Sequence, residues 1–95
     1  MSTSNTTRAL EKYVRGFSCH RRIQIMEILN DSEAALSLTE IAIACGTSIK
    51  PACEHVQRLT ASGLVGKTSK KRQVMHDLTP LGRKTLGFLR NIKLT

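Results

Sequence analysis

Aromatic side chains are scarce in this 95-residue chain: Tyr13, Phe17 and Phe88 are all it has, and there is no Trp. Its core must therefore be built from Ile, Leu, Val, Ala and Met, which suits helices packed on one another better than an all-β sandwich. Apolar runs are short as well. None approaches the roughly 20 residues of a membrane-spanning helix, and the polar start MSTSNTTRALEKY lacks the apolar segment of a secretory signal. Cys19, Cys45 and Cys53 are an odd number with no CxxC spacing, which leads us to expect a reduced, intracellular protein. The length allows one domain with a modest core. We read residues 1–6, rich in Ser, Thr and Asn, as a disordered tail and residues 7–95 as a single domain. A core this small favours burying further apolar surface in a dimer.

Acidic residues are missing from one half. Through Ile49, five bases (Arg8, Lys12, Arg15, Arg21, Arg22) balance five acids. From Lys50 onward the bases are Lys50, Arg58, Lys67, Lys70, Lys71, Arg72, Arg83, Lys84, Arg90 and Lys93, opposed only by Glu54 and Asp77. The whole formal charge of +8 thus falls in the second half. Such asymmetry points to a polyanionic partner, either nucleic acid or an anionic surface.

What is present is a series of helix signals and one hairpin. Leu10, Tyr13, Val14 and Phe17 fall at helical spacing, predicting a first helix from Thr7 to about Arg15 or Phe17. A second covers roughly Cys19 to Leu29, ended by Asn30-Asp31-Ser32. Ser37-Leu38-Thr39-Glu40 fits a capping box, with Leu36 and Ile41 placed to form a hydrophobic staple. The helix it starts is short, because Gly46 supplies the positive φ of an abrupt turn. Ser48 caps the next helix, with Pro51 in its first turn and Ala52, Val56 and Leu59 as the buried stripe. Gly63 and Leu64 close it as a Schellman motif, giving a helix over 48–62 about 22 Å long. Leu64–Thr68 and Gln73–Leu78 read as strands around the polar tip Ser69-Lys70-Lys71-Arg72. Thr79-Pro80 then starts a last helix through about Lys93, lined by Leu81, Thr85, Phe88 and Ile92, with Leu86 and Leu89 beside them.

This order resembles the winged helix-turn-helix regulators of the ArsR and MarR type, over roughly residues 8–93. Four strings carry the resemblance: RIQIMEIL at 22–29, LSLTEIAIACGTS at 36–48, HVQRL with ASGLV at 55–65, and DLTPLG at 77–82. The implied fold is mainly α with a small β-hairpin wing. The implied function is double-stranded DNA binding in transcription regulation, by a homodimer joined through the N- and C-terminal helices. Such a protein would be cytoplasmic, associated with the nucleoid.

With Ala52, Val56 and Leu59 inward, the opposite face of helix 48–62 presents Ser48, Ile49, Lys50, Cys53, Glu54 and Gln57. We expect that face in the major groove, N-terminus first. Ser48 and Lys50 would contact phosphate or base, Gln57 an adenine edge, and Arg58 the backbone from the flank. Ile49 would touch a thymine methyl or pack under the wing, and Glu54 is tolerable only if it accepts from a cytosine amino group. The wing, residues 66–76, would lay Lys67, Lys70, Lys71 and Arg72 along the backbone or minor groove.

Other chemistries find little support. His20, His55 and His76 lie on three different elements, and only Cys45 stands where the resemblance would place a metal-binding CxC pair, so no metal or other cofactor is expected. His55 and Cys45 read as packing residues. Neither a nucleophile elbow, a P-loop nor an HExxH motif occurs, which argues against an enzyme. The rival functions are a winged helix used for protein contacts and an architectural DNA binder with little sequence preference.

Overall fold

Local signals set most element boundaries in the computed structural model, which describes residues 3–92. In chain order the elements are α1 (Thr3–Phe17), α2 (His20–Asp31), β1 (Leu36–Ser37), α3 (Leu38–Cys45), α4 (Ile49–Ala61), β2 (Val65–Lys70), β3 (Gln73–Leu78) and α5 (Pro80–Arg90). The capping box forms as expected: the Ser37 hydroxyl accepts from Glu40 N–H at 3.2 Å, and the Glu40 carboxylate accepts from Ser37 N–H at 2.8 Å. The Schellman closure of α4 is complete. Gly63 has φ 80°, Leu64 N–H reaches Leu59 O at 3.0 Å and Gly63 N–H reaches Thr60 O at 3.0 Å. Thr79 caps α5 by accepting from Gly82 N–H at 3.0 Å.

Four expectations need correction. α1 begins at Thr3, so residues 3–6 are helical rather than a disordered tail. Ser48 holds the N-cap position of α4, but its side chain makes no capping bond. The buried face of α5 is Gly82, Thr85 and Leu86, whereas Leu81, Phe88 and Ile92 are 42 %, 66 % and 44 % exposed. α5 also ends at Arg90, and Lys93 lies outside the described residues. The two-residue strand β1 was not predicted. It pairs antiparallel with β3 (Leu36 opposite His76, Ser37 opposite Met75), giving the sheet order β1-β3-β2.

The core lies between the helices and one face of this sheet. Ile25 and Met26 of α2, Ile41 of α3, Leu59 of α4, Leu64 and Leu86 are fully buried at its centre. Each aliphatic side chain of this size contributes about 1.5–3 kcal/mol on leaving water. Ala42, 2 % exposed, lets α3 and α4 approach closely. Buried polar groups are satisfied: the buried His76 donates from Nδ1 to Leu36 O at 3.1 Å, tying β1 to β3 a second time. Tyr13 of α1 hydrogen-bonds Thr85 of α5, whose hydroxyl also lies 2.9 Å from Leu81 O as a donor.

Arg22 clamps three helices, donating from its guanidinium to Arg15 O of α1 and from Nε to His55 Nδ1 of α4 at 3.3 Å. His55 must be neutral at Nδ1 to accept that bond. Burial first, then the Arg22 charge, hold the imidazole below its ordinary value of 6.5; Arg21 acts the same way and Glu54 opposes. The unfolded chain therefore binds a proton near pH 6.5 more readily than the folded one. Stability should be full above that pH and should fall as pH drops below it. Thermal midpoints compared between pH 7.5 and 5.5 should decline for the wild type and decline less for His55→Gln.

Two glycines of α5 give opposite expectations. A Cβ on Gly82 would fall 2.3 Å from Leu64 O and 2.7 Å from Leu78 Cδ1, whereas one on Gly87 would meet nothing within 4 Å. In denaturant melts Gly87→Ala should raise stability by about 0.5–1 kcal/mol. Gly82→Ala should lower it by about 1–3 kcal/mol through overpacking against backbone.

Candidate nucleic-acid interface

α4 is held from three sides, and this fixes which of its residues face outward. Ala52, Val56 and Leu59 point into the core, while Lys50, Glu54, Gln57 and Arg58 are exposed. Its N-terminus is set by the α3–α4 turn, where Gly46 at φ 74° and the bond from Thr47 N–H to Ala42 O (3.0 Å) reverse the chain. Arg21 braces that turn from α2, donating to Cys45 O at 2.9 Å and to Gln24 Oε1 at 3.0 Å. A cation on the last carbonyls also complements the negative end of α3. Cys45, 3 % exposed, is a buried thiol beside Arg21, as expected of a packing residue.

Most predicted contact residues share one surface. Ser48, Ile49 and Lys50 open α4 on its exposed side; Ile49 is 51 % exposed, so it is not packed away under the wing. The uncapped Ser48 hydroxyl leaves the first backbone N–H groups of α4 without the side-chain acceptor that normally covers them. Gln57 stands a turn after Cys53 and donates weakly to its sulfur at 3.6 Å. Glu54 lies on the same outward face and is the acid of α4.

Beside α4, β2 and β3 form a hairpin whose strands run from Val65↔Leu78 to Lys70↔Gln73. Its turn is the dipeptide Lys71-Arg72, with φ 49° and 70°. Positive φ at both central residues marks a type I′ turn, a geometry normally given to Asn-Gly. Non-glycine residues there cost roughly 1 kcal/mol or more each. Lys67, Lys70, Lys71 and Arg72 are all exposed, and the hairpin's acid, Asp77, sits at its base opposite Gly66. The tip is therefore both strained and crowded with like charge.

Between α4 and the hairpin runs an open cleft of about 760 Å³, closed at one end by the start of α3. Cys53 and Gln57 of α4 and Lys67 of β2 line it, as the sequence allows. It also brings in Thr39, Thr60 and Gln73, which sequence reasoning missed. Thr39 was legible only as part of the capping box, and Thr60 faces sideways from the buried stripe, so neither carried a binding signal. Arg58 is placed differently: it lies on the far side of α4, beside α1, and does not border this cleft. Among the described residues no cluster of His, Cys, Asp and Glu could hold a metal ion, and no helix is long and apolar enough to cross a membrane.

No protein-family model matches the sequence, and comparison with curated proteins returns no match. Solved structures do match. The homodimeric winged helix-turn-helix DNA-binding domain Mb0332 of Mycobacterium bovis superposes with a TM-score of 0.80 at 17% identity, covering 92% of this chain and 80% of that one. NolR from Sinorhizobium fredii gives 0.79 at 17% identity, over 94% of this chain and 90% of that one. MepR, from the S. aureus MepR–DNA complex, gives 0.72 at 14% identity, over 93% and 75%. Five helices, a three-stranded antiparallel sheet and a hairpin beside the fourth helix agree with these neighbours: the chain has the winged helix-turn-helix fold.

Proposed function

We propose that the protein is a transcriptional regulator that binds double-stranded DNA as a homodimer, and that it is not an enzyme. One observation carries the reading: Cys53 and Gln57 of α4 and Lys67 of the basic hairpin border a common cleft, whose acid, Glu40 of α3, is engaged on the Ser37 N–H in the capping box. α4 fits the major groove, where Gln57 would read an adenine edge and Lys50 and Ser48 would meet phosphate at the positive end of the helix. The cleft would take the sugar-phosphate backbone between the two grooves, with Lys67 on its wall. Lys70, Lys71 and Arg72 would follow the minor groove, where phosphate relieves the repulsion that the tight turn imposes. Glu54 favours a cytosine amino group over bare phosphate, a bias toward sequence preference. The neighbours support the reading: MepR is described in complex with DNA and Mb0332 as a homodimeric DNA-binding domain. Its place of action would be the nucleoid, in the cytoplasm.

The dimer face follows from the exposed apolar residues. Leu10 and Val14 of α1 are 58 % and 45 % exposed, and Leu81 and Phe88 of α5 and Ile92 just past its end are 42–66 % exposed. The Tyr13–Thr85 bond joins the two helices beneath these stripes. Pairing there would present two copies of α4 about 34 Å apart on a palindromic site. Phe88→Glu should turn a dimer into a monomer in sedimentation velocity and weaken binding to a palindromic duplex. A wild type that sediments as a monomer at micromolar concentration would remove the dimer from the account.

Binding isotherms on a short duplex test the main reading. With about six phosphates engaged, log K should fall against log salt with a slope near −5. Lys70→Ala/Lys71→Ala/Arg72→Ala should weaken all sequences alike and make the slope shallower by about 2–3. Gln57→Ala should change the preference among sequences. Absence of duplex binding at low salt would overturn the proposal, and equal affinity for every sequence would favour an architectural role.

A further inference from the structure

The fold gathers a second basic strip that the charge count along the chain conceals. α1 crosses the C-terminal half of α4 closely: Ser62 Oγ donates to Lys12 O at 3.2 Å, and a Cβ on the buried Gly16 would fall 2.0 Å from Ser62 Oγ. The crossing leaves a crevice of about 200 Å³ with Arg8, Lys12 and Arg15 on the α1 wall and Arg58 on the α4 wall. Glu11 is the acid there and is paired with Arg15 at 3.1 Å. Among the described residues, no carboxylate lies within ion-pair distance of Arg8, Lys12 or Arg58. Three unpaired cations thus meet where two helices touch.

The position of this strip decides its use. Arg58 follows Glu54 by one turn on the exposed surface of α4, on the side away from Cys53 and Thr60, which border the cleft toward the hairpin. α4 is therefore flanked by cations on both sides. A helix lying in a major groove has a phosphate strand on each side, so a one-sided grip would leave the second strand unmet. The crevice also remains open in the proposed dimer, because Leu10 and Val14 fall on the opposite side of α1 from Arg8 and Arg15.

We propose that Arg8, Lys12 and Arg58 form a second phosphate-binding strip, which holds the DNA backbone on the side of α4 opposite the wing. This rests on the DNA-binding reading above and deepens it: α1 belongs to the DNA-binding surface as well as to the dimer face. Three bases from the nominally neutral half of the chain line this crevice, two of them without an acid partner.

The test is the salt dependence of duplex binding by Arg8→Gln/Lys12→Gln, both exposed positions on α1 where Gln keeps helix propensity. Its slope should be shallower than wild type by about 2, at about 0.9 for each phosphate no longer neutralised. The effect should add to that of the hairpin triple variant, and Arg8→Lys/Lys12→Arg should restore the wild-type slope. An unchanged slope in a variant with a wild-type thermal midpoint would overturn the strip and leave the α4–wing interface standing. Weaker affinity with an unchanged slope would overturn it too, since it would mark a packing defect and not fewer phosphates engaged. Failure of the wild type to bind any duplex would instead strike at the DNA-binding reading itself.

Discussion

The junction at Gly63-Leu64 is the constraint on which the rest of the architecture depends. Leu64 N–H closes α4 on Leu59 O, Leu64 O accepts from Thr79 N–H at 3.1 Å, and the Thr79 hydroxyl donates to the adjoining Gly63 O at 2.7 Å. Its side chain is fully buried, and Gly82 is packed against its carbonyl. One residue thus ends α4, leads into the hairpin and seats α5. The angle between α4 and the wing, and therefore the shape of the cleft between them, follows from this point. A left-handed residue is required immediately before it, and glycine meets that need at least cost.

From that junction outward, polar chemistry is divided between holding and binding. Arg21 and Arg22 are adjacent cations of α2 whose guanidiniums are engaged on Cys45 O, Arg15 O and His55. They stiffen the frame around α4. Among the described residues, the exposed cations outside any ion pair include those of the hairpin, Lys50 at the start of α4, Arg8, Lys12 and Arg58 at the α1–α4 crossing, and Arg83 and Lys84 of α5. The hairpin turn gives the clearest sign of use: Lys71 and Arg72 adopt positive φ where Asn-Gly would be easier. A basic tip is thus kept at some expense in stability.

Much of this was legible in the sequence because it is written locally. The capping box at Ser37–Glu40, the Gly46 turn, the Gly63-Leu64 closure and Thr79-Pro80 are each decided within six residues, and all four hold. The winged helix-turn-helix class followed from their order. What the sequence hid depends on pairings between distant segments. β1 exists only because Leu36 and Ser37 meet His76 and Met75 some forty residues later. Ser48 sits where a cap belongs, but a residue type cannot reveal whether its hydroxyl turns inward. Leu81, Phe88 and Ile92 share a helical stripe with Thr85, and only the packing of α5 shows that the core takes the neighbouring face. Counting charge by halves separated Arg8 and Lys12 from Arg58, which the α1–α4 crossing brings together.

The exposed face of α4 and the hairpin beside it are the proposed duplex-binding surface. Titrating isotopically labelled protein with a short duplex while following backbone amide signals tests it most directly. The largest shifts should fall on Lys50, Gln57 and residues 67–73, with the α2 face and the buried side of α5 little moved. Shifts centred on α2 and α5 while α4 and the hairpin stay still would contradict it.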